Sequence, residues 1–119
     1  MKRWVLLEHR LSKDNIQGRH YDLLFEEKSS CLTLQLSARP LLNQASVKAK
    51  LIQPHNLYWL DIKESAVSGG RGWAKQIESG FYSGLILNND YFYVLLINFS
   101  NGYKAFLEFQ EQACRIFSI

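Results

Sequence analysis

Short runs with an apolar residue at every second position recur along almost the whole chain, and no long stretch keeps a helical period. Residues 31–37 are the clearest case, with Leu32, Leu34 and Leu36 on one side and Thr33 and Gln35 on the other. A side-chain period of two is the mark of an extended strand with one buried face. Similar runs cover residues 3–9, 19–26, 46–53, 57–62, 81–87, 91–99, 103–110 and 114–119, with a weaker one at 73–79. Turn formers separate them: Asp14-Asn15 and Gly18, Glu27 to Ser30, 88–90, and Asn101-Gly102, where Asn-Gly is the strongest short hairpin signal. Strands at this spacing indicate an all-β barrel or sandwich, and the expected architecture is a single compact antiparallel β-barrel with little helix.

Composition agrees with one domain. The 119 residues can bury a single core without disulfides, and 47% hydrophobic with 21% charged residues is ordinary for a globular chain. No apolar run reaches the length of a membrane span, and Glu8 cuts short the basic, apolar start, so neither a span nor a signal peptide is expected. Cys31 and Cys114 fit no ligand spacing and sit in apolar runs as free thiols would, which points to a reduced, cytoplasmic setting. A formal charge of +3 permits a nucleic-acid partner without arguing for one. The run 91–97 is apolar on both faces, as in a strand covered twice, by the barrel interior and an outer layer or by a partner subunit.

The residues able to carry chemistry gather early in the chain. In the run Arg19-His20-Tyr21-Asp22, His20 and Asp22 share a strand face, about 6–7 Å apart, while Tyr21 and Leu23 face away. The short connection to the first run makes a hairpin that brings His9 beside His20. Two imidazoles and a carboxylate form the mixed N/O set that suits Mn²⁺, Zn²⁺ or Fe²⁺. His55, the third histidine, follows Pro54 at the start of the 57–62 run. Arg10, Arg19, Arg39 and Arg71 have planar forks suited to phosphate, and Gly69-Gly70-Arg71-Gly72 lets backbone approach an anion.

These blocks, taken in order, resemble the 3′-phosphoesterase module of bacterial DNA ligase D. The resemblance rests on Val5-Leu6-Leu7-Glu8-His9, then Arg19 to Glu26, then the stretch from Leu32 to Pro40. It continues through His55 to Asp61 and the glycine-rich Ser68 to Gly72, and so covers roughly residues 4 to 80. It implies a manganese-dependent (or zinc-dependent) hydrolase of DNA repair and non-homologous end joining, acting on nucleic-acid 3′ ends beside a separate ligase or polymerase. On this likeness His9, His20 and Asp22 hold the ion in the mouth of the barrel, and His55 contacts the phosphate or acts as an acid. Arg10, Arg19, Arg71 and Trp59 are then the candidates for substrate contact.

The chain departs from the family's pattern at Leu24, where an arginine is usual, at Gln53 for a glutamate, and at Trp59 for a tyrosine. The loop from His9 to His20 is also longer. If Leu24 occupies the missing clamp position, Leu24→Arg is expected to restore phosphate contact. The competing expectations are a catalytically degenerate barrel that binds nucleic acid or a repair partner, and a small β-barrel whose histidines are structural.

Overall fold

The alternation of the sequence sets which side of each strand is buried. A computed structural model describes residues 1–86 and 91–119 of the chain, so the expected turn at 88–90 lies outside the described residues. Nine strands are present among them: β1 (Lys2–Arg10), β2 (His20–Glu26), β3 (Cys31–Leu36), β4 (Val47–His55), β5 (Glu64–Ala66), β6 (Trp73–Ile86), β7 (Tyr91–Phe99), β8 (Tyr103–Gln110) and β9 (Ala113–Ser118). All pair antiparallel in the order β1-β2-β3-β4-β9-β8-β7-β6-β5, and β1 also pairs with β6. The sheet therefore closes on itself as a ring. Its seam is β4–β9, which meet only at Val47–Cys114 and Lys48–Ala113. Among the described residues no helix is long and apolar enough to cross a membrane.

The interior takes one side chain in two from each strand of the ring. Trp4, Leu6, Leu23, Phe25, Phe92 and Leu107 are among its fully buried members. Polar tips inside it are satisfied: Trp4 Nε1 donates to the Ile97 carbonyl (3.1 Å) and Tyr82 Oη to that of Glu26 (2.7 Å). Both cysteines are free and buried, and burial raises their thiols to about 11 (Cys31) and about 12 (Cys114).

Three elements differ from the sequence expectation. Residues 57–62 read as a strand, but Leu57–Leu60 form a 3₁₀ turn, capped by the Asn56 side chain, which accepts from the Tyr58 N–H (2.9 Å). Leu60 then packs outside the ring on Val5, Leu7, Leu24 and Cys31, a small second core that outweighs the β propensity of the aromatic run. The expected strands at 73–79 and 81–87 are one strand, β6, running on through Gly80. A Cβ there would strike the Ile97 carbonyl and stand 2.8 Å from Trp4 Nε1, so only glycine lets β7 approach. The stretch 64–72, which carries no strand run in the sequence, contains β5 and a short 3₁₀ turn at Ser68–Gly70.

Strand β7 buries Phe92, Val94 and Leu96 inward. Its outward Tyr93 is half-buried, stacked on Phe106 (4.9 Å) and near Phe117 (6.1 Å). Aromatic neighbours on the same sheet clothe that face.

Candidate active site

Strand parity decides where the polar groups go. In β1 and β2 the inward positions are Trp4, Leu6, Tyr21, Leu23 and Phe25, so Leu7, His9, His20 and Asp22 point outward. The cluster consequently lies on the outer surface of the ring and not in its mouth. Residues of the segment from Asn56 to Arg71 form the opposite wall of an open cleft of about 830 Å³. His9, His20, Asp22, His55, Trp59 and Arg71 all line it.

The hairpin brings the first two imidazoles together. His9 and His20 are directly paired across β1 and β2, and their rings lie 4.6 Å apart. Gly72 (φ +106°) touches this corner: a Cβ there would run into the Arg10 carbonyl and stand 3.3 Å from His9 Nε2.

His55 arrives by a different device. Along β4, Ala49 and Leu51 face inward, so simple alternation would aim His55 inward as well. The register slips between Thr33–Ile52 and Cys31–His55, where three residues of β4 span two of β3. This one-residue bulge at Gln53-Pro54 turns His55 onto the outer face. Proline is tolerated there because β4 pairs with β9 only at its other end. His55 is thus the last residue of β4, and not the first of a following strand.

The two imidazoles bracket one carboxylate. His20 Nε2 lies 3.6 Å from Asp22 Oδ1, and His55 Nε2 lies 3.6 Å from Asp22 Oδ2. Asp22 is only 6% exposed, and its Oδ1 has no hydrogen-bond partner. A buried carboxylate oxygen in that state can accept from a donor or coordinate a cation. On the far side of the His55 ring, Nδ1 faces the Thr33 hydroxyl (3.1 Å) and the Gln53 carbonyl (3.3 Å).

The electrostatics of the two rings diverge. Burial lowers the pKa of His20, with Asp22 opposing and His9, His55 and Lys50 adding to the fall. Hydrogen bonding to Asp22 raises that of His55, against the effect of its burial. His20 is accordingly held as a neutral donor of a lone pair, and His55 as the better holder of a proton.

The arginines divide. Arg10 and Arg19 each sit one residue from a cleft histidine, so alternation sends them to the opposite face. Both pair with the buried Glu8, Arg19 Nη1 at 3.4 Å and Arg10 through its Nε, and neither lines the cleft. Arg71 does line it, with Nε and Nη2 tied to Ser68 (2.7 and 3.0 Å). Trp59 walls the cleft beside Tyr58, rings 4.9 Å apart. Leu24 is wholly buried in the second core, against Leu60, and does not reach the cleft. An arginine introduced there meets an apolar pocket and not a phosphate.

Sequence reasoning passed over Thr33, Gln35 and Ile52. Thr33 and Gln35 read as the solvent side of β3, yet Thr33 is fully buried and Gln35 lines the cleft. Ile52, the apolar residue on the polar side of β4, was the one visible sign that this side is covered.

The donor set of His9, His20, Asp22 and His55 suits a borderline divalent ion in kind, and the orphaned Oδ1 offers a ligand position. Among the described residues, no three such groups are gathered as closely as a finished coordination shell. The sequence matches no family model and no curated protein.

Proposed function

We propose that this protein is a divalent-metal-dependent phosphoesterase acting on the 3′ ends of DNA or RNA, removing a 3′-phosphate or 3′-terminal ribonucleoside to leave a 3′-hydroxyl. The observation that carries the reading is the Asp22 carboxylate, buried in the wall of the cleft with an imidazole Nε2 facing each of its oxygens. The resemblance of the His9, His20-Tyr21-Asp22 and His55 blocks to the ligase D module supplies the reaction class.

In this reading His9, His20 and Asp22 hold a Mn²⁺-type or Zn²⁺ ion. When bound, such an ion polarises a phosphoryl oxygen and makes water a better nucleophile at neutral pH. The chain's own groups do the rest. His20, kept neutral by burial, presents its ring lone pair to the cleft. His55, whose proton affinity Asp22 raises, takes up a second proton on Nε2 as an imidazolium and gives it to the departing oxygen. Arg71 supplies the fixed positive charge of the lining, and Trp59 with Tyr58 offers ring faces for a terminal base to stack on.

A second reading is favoured by one specific observation. Leu24, where the family carries an arginine, is committed to an apolar core, so this site lacks that phosphate contact. One such transition-state contact is worth on the order of 10²–10³ in rate. A barrel that binds 3′ ends or a repair partner without turning them over follows from that loss. A 5′-labelled primer-template bearing a 3′-phosphate, or a single 3′-ribonucleotide, separates the two with Mn²⁺ present. Product that disappears with chelator and in Asp22→Asn supports the enzyme. Retention of the labelled strand without product supports the binder, and a strand neither cleaved nor retained refutes both.

A further inference from the structure

We propose that Thr33 is a positioning residue that fixes the tautomer of His55, holding its proton on Nδ1 so that the Nε2 lone pair is presented to Asp22 and the cleft. The inference deepens the reading of the cleft as an active site and rests on it only for its consequence in turnover.

The Thr33 hydroxyl has a single proton, and it lies 3.0 Å from the carbonyl of Cys31, which can only accept. With that proton given to Cys31, Oγ1 is left as an acceptor toward His55 Nδ1 at 3.1 Å. The other group beside Nδ1 is the Gln53 carbonyl, 3.3 Å away, which again can only accept. An unprotonated Nδ1 would therefore face two sets of lone pairs. A protonated one satisfies both, the Thr33 bond being the shorter.

The site of this contact suits its purpose. Thr33 is wholly buried, so no water competes for its hydroxyl. It stands where the β3–β4 ladder slips and His55 is turned outward. The bulge aims the ring, and the hydroxyl sets which nitrogen is free.

The consequence appears at the other end of the imidazole. With Nδ1 protonated, neutral His55 turns a lone pair at Nε2 toward Asp22 Oδ2 at 3.6 Å. Two lone pairs facing each other across that gap are at rest only with a proton or another cation between them. Thr33 thus makes His55 and Asp22 a pair that takes up a cation from the cleft. Groups that orient a ring in this way commonly change affinity or turnover on the order of 10-fold to 100-fold when removed.

The test is long-range ¹H–¹⁵N NMR of the imidazoles in histidine-labelled full-length protein, at a pH where the rings are neutral, for wild type, Thr33→Val and Thr33→Ser. Valine keeps the shape and removes the hydroxyl, and serine keeps the hydroxyl. The expected result is Nδ1–H at His55 in wild type, a raised share of Nε2–H in Thr33→Val, and recovery in Thr33→Ser. A wild-type His55 carrying its proton on Nε2 overturns the proposal, as does an unchanged tautomer in a folded Thr33→Val. If Thr33→Val does not fold, the wild-type spectrum decides by itself: Nδ1–H supports and Nε2–H overturns. The imidazole spectrum does not depend on turnover, so a protein that cleaves no 3′ end would sink the phosphoesterase reading and leave this result standing. If cleavage is found, Thr33→Val lowers kcat with little change in KM, and serine rescues it.

Discussion

Leu24 ties the fold to the cleft, and replacing it gives a prediction whose size can be worked out. Its side chain is 0% exposed and belongs to the small outer core of Val5, Leu7, Cys31 and Leu60. That core holds the Leu57–Leu60 turn against the ring, and the turn carries Tyr58 and Trp59, two walls of the cleft. Leu24→Ala replaces a fully buried isobutyl group with a methyl, taking three carbons from this small core. Such changes cost 2–5 kcal/mol, and about 3 kcal/mol is expected here. At roughly 2.1 cal/mol/K per residue, the unfolding entropy of this chain is about 0.25 kcal/mol/K, so Tm should fall by about 12 °C. Leu24→Arg should cost at least as much, because an unpaired guanidinium enters the same apolar pocket. Scanning calorimetry on both variants, with tryptophan fluorescence to follow Trp59, measures the effect. A Leu24→Arg protein as stable as wild type, or one cleaving 3′-phosphates faster, would refute the placement of Leu24 under the turn.

Other outcomes follow from the same geometry. In the metal-free protein His55 should titrate above the ordinary value of 6.5 and His20 below it, so the imidazole shifts in an NMR titration should separate in that order. The sign carries to stability. A raised folded pKa stabilises fully below 6.5 and is lost as pH climbs through the folded value, so the stability gap between wild type and His55→Gln should widen toward acid pH. His20 acts oppositely, costing stability as pH falls below 6.5. Gly72→Ala should lose about 2 kcal/mol or more in urea unfolding, since its φ of +106° disfavours a side chain and the added carbon meets the Arg10 carbonyl. Arg71→Ala should weaken binding of a 3′-phosphorylated strand while leaving the free energy of unfolding within about 1 kcal/mol of wild type, because its bonds are to one exposed loop.

The all-β fold was legible because alternation survives in nearly every strand, and the pairing of His9 with His20 followed from a short connection between two clear runs. Parity also separated Tyr21, Leu23 and Phe25 from His20 and Asp22 correctly. What parity could not reveal is a residue inserted in the ladder. The bulge at Gln53-Pro54 reverses the face of His55, and only Pro54 hints that the strand is irregular there. The Leu57–Leu60 turn was hidden for a related reason. Its aromatic residues favour a strand locally, and their burial against Leu24 and Cys31, distant in sequence, decides otherwise. Arg10 and Arg19 looked like phosphate ligands by proximity in the chain, yet adjacency in a strand means opposite faces, and Glu8 takes both. Thr33 was invisible because a threonine on the polar side of a strand ordinarily faces water.

Titration of the metal-free protein with Mn²⁺, read by electron paramagnetic resonance in wild type and Asp22→Asn, bears most directly on the cleft as a cation-dependent site. One bound ion per chain is expected in wild type, and loss of that binding in the variant with the fold retained. An Asp22→Asn protein that binds Mn²⁺ as wild type does, or a wild type with no affinity for Mn²⁺ or Zn²⁺ at neutral pH, would contradict it.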